Sequence, residues 1–382
     1  MAKKGKESEM NAENVTAAMP AANPHWFALI MAGGKGERFW PMSTAARPKQ
    51  LLALAGGAPL ICQAIARLQG VVPPERTVVV TNASLVEPIR KLLPAGSPVG
   101  LLGEPMGRDT AAAIAAGAAW IRRRDPKAVF CVLTADHVIG DVPLFQQTLA
   151  RSLEIASDEP YLLTIGIEPT EASSAYGYIA LGDEFKKIGG LAFHRSGGFR
   201  EKPDRATAEK YLAEGNVLWN SGMFIWSLDS LLAAYEKSAP HLARRVEAWS
   251  AEPDDAAQLA AMARDFPELP KISIDYAVME KADNIIVCRG TFAWDDVGSW
   301  PALDKHLPHD AADNAVLGDV VAEGSARNIV LSQGRLTALV GVEDLVVVQA
   351  EGVTLVCKKS RSQEIKALLA TLRGQPGRDA VL

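Results

Sequence analysis

The chain has 382 residues, 48% hydrophobic and 22% charged, enough to bury a sizeable core without disulfide staples or wholesale disorder. Its 45 acidic residues against 40 basic ones give a formal charge of −5, opposite in sign to the footprint of a general nucleic-acid binder. The longest small-apolar run, residues 111–121, ends in Arg122, Arg123 and Arg124 and falls well short of the ~20 residues that span a bilayer. Neither nucleic acid nor a membrane is therefore an expected partner.

Residues 1–24 are polar or small, with Lys3, Lys4 and Lys6 but no apolar segment behind them. They read as a disordered tail and not as a secretory signal. The first apolar run, Trp26 to Ala32, stops abruptly at Gly33, and similar runs recur at 77–81, 128–134 and 162–167. Runs without alternation predict strands covered on both faces, as in parallel sheets. Helical segments at 60–68 and 110–124 lie between them, so the pattern is that of a doubly wound α/β domain. A helix over 202–215 would enter through Pro203-Asp204 and close at Gly215. Residues 228–263 are helical in composition, broken near Pro240 and Pro253, and the stretch 248–264 reads as a solvated face. Beyond about 310, β-branched runs at 328–331, 345–348 and 353–356 indicate a small β unit, followed by a helix over 362–372. The expected division is a catalytic unit over 25–310 and a β-rich unit over 311–382. Cys62, Cys131, Cys288 and Cys357 lie tens of residues apart without a C-x-x-C pair. That excludes a zinc knuckle or thioredoxin-type motif and suits a reducing, cytoplasmic setting.

The sharpest local signal is the loop Gly33-Gly34-Lys35-Gly36-Glu37-Arg38, directly after the first strand. Glycines there let backbone N–H groups approach phosphate oxygens. A P-loop would need Ser or Thr after the lysine, and a dinucleotide fingerprint would need glycine where Phe39 stands, so both fail. What remains is G-x-G-x-R-x-x-P (Gly34, Gly36, Arg38, Pro41), followed by Arg47-Pro48-Lys49-Gln50. Taken alone, Arg38 and Lys49 are also readable as solvent-facing cations. Further candidates are Glu104 to Thr110, Asp136 at the end of a strand, Gly177, Glu201-Lys202, Asn220 and Asp295-Asp296. In isolation the Asp-Asp pair reads as a turn, Glu201-Lys202 as a surface pair, and Asp109 as a helix cap. His306 and His309 flank Pro308 and read as a loop.

Together these segments resemble the sugar-1-phosphate nucleotidyltransferases, and residues 33–54 resemble their mannose-1-phosphate guanylyltransferase branch. The resemblance runs from residue 26 to about 372. It departs from the family pattern at Asp109 (usually Asn), Ala112 and Thr134 (usually Pro), and Ser174-Ala175 (usually Thr-Gly). It implies a Rossmann-like mixed sheet, a small β-helical C-terminal domain, and transfer of GMP from GTP to mannose 1-phosphate, giving GDP-mannose and pyrophosphate. On this resemblance, Ala32, Gly33, Gly34 and Gly36 cradle the nucleotide, while Arg38 and Lys49 stabilise the departing pyrophosphate. Glu104, Arg108 and Asp109 lie against the base, where Glu104 or Asp109 would accept guanine's N1–H and 2-amino donors. Asp136 and Asp296 are the implied Mg²⁺ ligands, Gly177, Glu201 and Asn220 the sugar contacts, and Lys202 the holder of the sugar phosphate. His137 is expected to be structural, and a homodimer is compatible with the family. A sugar phosphate is largely dianionic near neutral pH, its second pKa being about 6, so the attack needs no general base. Two rivals stay open: another hexose 1-phosphate as acceptor, or a non-catalytic homologue that binds GDP-mannose.

Overall fold

The computed structural model describes residues 19–21, 23–34, 36–378 and 381–382, so most of the tail expected over 1–24, and Lys35, lie outside the described residues. Among the described residues, eleven strands precede residue 300: β1 (Trp26–Ala32), β2 (Thr77–Asn82), β3 (Gly100–Glu104), β4 (Val129–Thr134), β5 (Val138–Ile139), β6 (Leu162–Ile167), β7 (Tyr178–Ile188), β8 (Leu191–Arg200), β9 (Val217–Ser227), β10 (Ile285–Gly290) and β11 (Trp294–Asp295). Nine of them form one mixed sheet in the order β3-β2-β1-β4-β9-β6-β10-β8-β7, while β5 and β11 pair separately. Strands β3, β2, β1 and β4 are mutually parallel, whereas β9 runs antiparallel to both β4 and β6.

Both faces of the sheet are covered, which is why the central strands carry no hydrophobic alternation. Phe27 and Leu29 pack into one core with Val78, Val80, Phe130 and Trp226; Trp26, Ala28 and Ile30 pack into the other with Ile61, Phe145 and Leu149. The covering helices are α1 (Leu60–Ala66), α2 (Val86–Leu92), α3 (Asp109–Arg124), α4 (Val142–Asp158), α5 (Arg205–Glu214), α6 (Leu228–Ser238), α7 (Pro240–Ser250), α8 (Asp255–Asp265), α9 (Ile274–Ala277) and α10 (Trp300–Asp304). Strand order reverses at β1: the chain runs outward to β3 and returns to β4 on the other side. Ligand crevices open at the carboxyl ends of strands flanking such a switch point. Gly33 follows β1 there, and Asp136 lies two residues beyond β4.

Two expectations need correction. The helix expected from 202 begins only at Arg205, with the Asp204 carboxylate accepting the Thr207 N–H as its cap. Pro203 disfavours right-handed helix at the residue before it, and Lys202 instead takes a left-handed φ of 43°. The stretch 248–264 is solvated on one side only. Its break separates α7 from α8, and Trp249, Gln258, Ala261 and Met262 turn inward, with Gln258 Nε2 donating to the Ala116 carbonyl at 3.2 Å.

After residue 314 come β12 (Ala315–Glu323), β13 (Ile329–Val340), β14 (Leu345–Ala350), β15 (Val353–Lys358) and α11 (Ile365–Arg373). The first three are parallel neighbours, stacked in turns of a β-helix-like unit, and β15 closes the set antiparallel. Asn314 and Asn328, both fully buried, link successive turns: Asn328 Nδ2 donates to Asn314 Oδ1 at 2.9 Å. Ile329, Leu331, Val346, Val348 and Leu369 share one core with Phe39, Trp40, Met42 and Trp300. The β unit thus packs directly on the segment that follows the glycine loop. Among the described residues, no helix is long and apolar enough to cross a membrane.

Helix α3 seats on the sheet through Gly117, where an added Cβ would fall 2.1 Å from Leu29 Cδ1 and 3.3 Å from Val80 Cγ2. Gly117→Ala gains up to about 1 kcal/mol of helix propensity but overpacks a filled interface, a cost of about 1–3 kcal/mol. We expect a net loss of stability, read as a lower denaturation midpoint with an unchanged m-value.

Candidate active site

The glycine loop is held against Lys49. Gly36 has a φ of +62°, and a Cβ there would lie 2.5 Å from Lys49 Cβ and 2.9 Å from Ser43 Oγ, so glycine is required. Lys49, 5% exposed, donates from Nζ to Asp136 Oδ2 at 3.0 Å and to the Asp296 carbonyl at 2.5 Å. Arg38 donates from Nη1 to the Gly298 carbonyl at 3.4 Å, and its buried Nε has no protein partner. Gln50 Nε2 and Thr81 Oγ1 both donate to the Ala32 carbonyl, at 2.7 and 2.9 Å, fixing the end of β1. Gly36, Arg38, Lys49, Asp136 and Asp296 line one cavity of about 290 Å³, joined by Lys366 from α11.

A second cavity opens beside it. Gly177, Glu201, Lys202, Asn220 and Asp275 line it, and it shares His137 and Asp296 with the first. Gly177 makes room for a carboxylate, because a Cβ there would sit 2.3 Å from Glu201 Oε2. That Oε2 is buried without a hydrogen-bond partner, while Lys202 Nζ donates to Oε1 at 2.5 Å. The Glu201 N–H donates to Glu280 Oε1 at 2.8 Å, which steadies the turn. Asn220 Nδ2 donates to Asp275 Oδ1 at 2.8 Å, and its own Oδ1 accepts the Gly222 N–H at 3.1 Å. Burial, reinforced by the nearby Glu201 carboxylate, pushes the Asp275 carboxyl up to about 6.

The adjacent aspartates divide their roles. Asp295 is buried and structural: its Oδ1 accepts the Val297 N–H, and its Oδ2 pairs with Lys305 and His306 at 2.6 and 2.8 Å. Asp296 faces the shared wall, where Oδ1 accepts the Tyr176 hydroxyl at 2.9 Å and the Gly298 N–H at 3.1 Å. Burial opposes ionisation of Asp136, but the Lys49 ammonium outweighs it and holds that carboxyl below the usual carboxylate range. Burial likewise lowers His137, leaving a neutral ring whose Nδ1 accepts the Trp294 indole N–H at 3.1 Å. The ring proton therefore sits on Nε2.

Glu104 ends β3 at 6% exposure; its Oε1 has no partner, and its Oε2 lies 3.7 Å from where a Gly33 Cβ would stand. Burial, with the neighbouring Asp109 charge adding, pushes this carboxyl up to about 8, so its resting form near neutrality is the acid. Asp109 has a left-handed φ of 67°, and its Oδ1 accepts the Thr110 N–H at 2.8 Å. Arg108 is drawn away from the cleft: Nε donates to the Phe266 carbonyl at 3.0 Å, and the guanidinium also meets the Pro267 carbonyl. Gly33, Gly34 and Gly107 line a third cavity, of about 380 Å³, with Asn82, Leu85, Leu369 and Arg373.

Tyr176, Asp275 and Lys366 are the cleft residues that spacing did not single out. Tyr176 lies between Ala175 and Gly177 in a segment that resembles the family's. Asp275 rides on a helix of four residues, and Lys366 comes from the far end of the chain. Among the described residues, no three His, Cys, Asp or Glu side chains are grouped to hold a metal. Asp136 and Asp296 nevertheless fit a divalent cation. They are hard oxygen donors on one wall, and the Lys49 ammonium already bridges the Asp136 carboxylate and the Asp296 carbonyl. A cation held by two carboxylates completes its shell with substrate and water oxygens.

The family model Nucleotidyl transferase matches residues 27–312, and the model MannoseP isomerase/GMP-like beta-helix domain matches residues 318–372. The mannose-1-phosphate guanylyltransferase of Klebsiella pneumoniae is 36% identical over 349 residues, 90% of this chain and 73% of that protein. The xanthan biosynthesis protein XanB of Xanthomonas campestris pv. campestris is 36% identical over 351 residues, with the same coverage of 90% and 73%. A crystal structure from Thermus thermophilus, described as a mannose-1-phosphate geranyltransferase, aligns with a TM-score of 0.81 at 35% identity, covering 91% of this chain and 99% of that one.

Glu104 sets a pH dependence of stability. Its folded-state value of about 8 lies above the unfolded one, so the folded chain binds the extra proton between about pH 4.5 and 8. This contribution is full at or below the unfolded value and is lost as pH rises through the folded one. Glu104→Gln removes it, so the variant's thermal midpoint should gain on wild type between pH 5 and 8.5. Parallel midpoint curves for the two proteins would show that Glu104 does not titrate in this range.

Proposed function

The chain belongs to the nucleotidyl transferase family, and on that premise we propose that its cleft transfers GMP from GTP to mannose 1-phosphate, releasing pyrophosphate and giving GDP-mannose. The observation that carries this reading is the pair of cavities sharing the wall of His137 and Asp296. One presents Arg38 and Lys49, suited to a triphosphate. The other presents a lysine beside acceptors for sugar hydroxyls, suited to a sugar phosphate. Bound in the two cavities, the acceptor phosphate and the α-phosphate meet directly across the shared wall.

The chemistry needs placement and charge neutralisation more than proton transfer. The acceptor phosphate arrives mostly as a dianion, its second pKa being about 6, and attacks in line without a general base. Lys202 reaches its phosphate from the Glu201-Lys202 turn. Glu201 Oε2, Asn220 and Asp275 take up hydroxyls of the sugar. Asp136 and Asp296 would hold Mg²⁺, which would supply positive charge to phosphate oxygens. Arg38 and Lys49 stabilise the charge that gathers on pyrophosphate as it leaves, with their donors already in place before reaction.

Guanine selectivity rests on Glu104. The N1–H and 2-amino groups of guanine are two donors on one edge, and hydrogen bonds to a carboxylate favour its charged form. Guanine therefore draws Glu104 from the resting acid to the carboxylate, whereas adenine offers a lone pair at N1 and no 2-amino group. Asp109, in a left-handed conformation where Asn is equally at ease, serves the entry of α3. Arg108 steadies the same entry from its two carbonyl partners. The free cysteines suit a reducing cytoplasm, where we place the reaction. A division at about residue 310 and a homodimer complete the proposal.

A matrix of nucleoside triphosphates against sugar 1-phosphates, read by pyrophosphate release, tests this reading. GTP with mannose 1-phosphate should give the highest kcat/KM, and ATP should trail by about ten- to a hundredfold, the scale of a bidentate base contact at 1–3 kcal/mol. Faster turnover with a different hexose 1-phosphate would reassign the acceptor. Binding of GDP-mannose without turnover of any pair would make the chain a non-catalytic homologue.

A further inference from the structure

The β-helix-like unit does more than pack behind the catalytic sheet. Its last helix, α11, runs along the glycine loop. Lys366, Leu369 and Arg373 stand at i, i+3 and i+7 and so share one helix face. Leu369 is 2% exposed, in the core that contains Phe39 and Trp40. Arg373 pairs with Glu37 of the loop at 2.5 Å. Next to them, the Trp40 indole N–H donates to the Val381 carbonyl at 2.6 Å, and the Ala45 N–H donates to the Leu382 carbonyl at 2.9 Å. These contacts fix one end of the helix face. Lys366 lies at the other end, about 10 Å along the axis from Arg373 at 1.5 Å per residue, and lines the cavity that holds Arg38, Lys49, Asp136 and Asp296.

The charges already in that cavity show why a further cation matters. Lys49 is neutralised by Asp136, and Arg38 leans on the Gly298 carbonyl. Lys366 is exposed and makes no hydrogen bond or ion pair with any described residue. Of the three cations lining this cavity among the described residues, Arg38 and Lys366 form no ion pair with a described carboxylate, although Asp296 and Glu37, the latter paired with Arg373, also line it. A triphosphate brings several negative charges, and they concentrate on the β- and γ-phosphates as the bond to the α-phosphate breaks.

We propose that Lys366 contacts the β- and γ-phosphates of GTP and stabilises the departing pyrophosphate, so that α11 of the C-terminal unit supplies part of the catalytic cleft. This rests on the transfer reaction proposed above. The position on the triphosphate side follows from the cavity itself: Lys366 lines the one with Gly36 and Arg38, not the one with Lys202 and Asn220.

The test uses the full chain with Lys366→Met, which keeps the aliphatic stem, and Lys366→Arg, which keeps the charge. Lys358→Met is the control, because it removes an exposed lysine of the same unit outside the cleft. Calorimetric titration with inorganic pyrophosphate and steady-state kinetics are both read. In Lys366→Met, pyrophosphate affinity should fall and KM for GTP should rise, each by about tenfold, the scale of one lost charged contact. KM for mannose 1-phosphate and the thermal midpoint should stay at wild-type values, and Lys366→Arg should recover most of the loss. Unchanged pyrophosphate affinity and GTP KM would overturn the proposal, as would an equal rise in the KM for mannose 1-phosphate. If the wild-type chain bound pyrophosphate but transferred nothing to mannose 1-phosphate, the proposed activity would fall. The pyrophosphate titration would then still decide for or against Lys366.

Discussion

The Lys49 ammonium is the point at which the cleft is tied together. It is almost fully buried, and a buried ammonium is costly unless it is paired and hydrogen-bonded. Here the partners are Asp136, at the end of β4, and the carbonyl of Asp296, more than a hundred residues further on. One side chain thus joins the glycine-loop segment, the switch point of the sheet and the turn that presents the second carboxylate. Gly36 can have no side chain because its α-carbon lies against Lys49. The Arg38 contact with Gly298 and the Phe39 edge on Trp300, at 5.0 Å between centroids, repeat the same connection more weakly. The position of the proposed nucleotide half-site is therefore inseparable from the position of Asp296.

The second cavity, the proposed sugar half-site, is also arranged around paired charges. Glu201 lies close enough to disfavour ionisation of the buried Asp275 carboxyl, with Lys202 meeting Glu201 and Asn220 meeting Asp275. Tyr176 links this half to the other by donating to Asp296. Donors and acceptors are thus held in place before substrate arrives, the condition under which electrostatic stabilisation costs no reorganisation during reaction. Transfer between two phosphates needs no acid or base beyond this.

Much of the fold was legible because burial on both faces leaves a direct mark: β1 and β6 coincide with uninterrupted apolar runs, and the glycine loop was identified by spacing alone. What was missed depended on three-dimensional neighbours. The start of α5 slipped because Lys202 takes a left-handed conformation ahead of Pro203. The inner faces of α7 and α8 were hidden because much of their apolar content is alanine, which does not show which side meets α3. Glu104 reads as an acid in any sequence, but only its burial beside Asp109 makes it a neutral one at rest. Neither Asp275 nor Lys366 could be assigned to the cleft from the sequence, since a four-residue helix and a returning C-terminal helix bring them there from unrelated stretches of chain.

If the two cavities deliver their phosphates to each other directly across Asp296 and His137, the α-phosphorus undergoes a single displacement. GTP made chiral at that atom by sulfur substitution tests this most directly, with the configuration of the thio-substituted GDP-mannose read by phosphorus NMR. One in-line attack predicts clean inversion. Retention would mean two displacements and a covalent nucleotidyl intermediate on the protein, for which this cleft has no role, and would contradict the account.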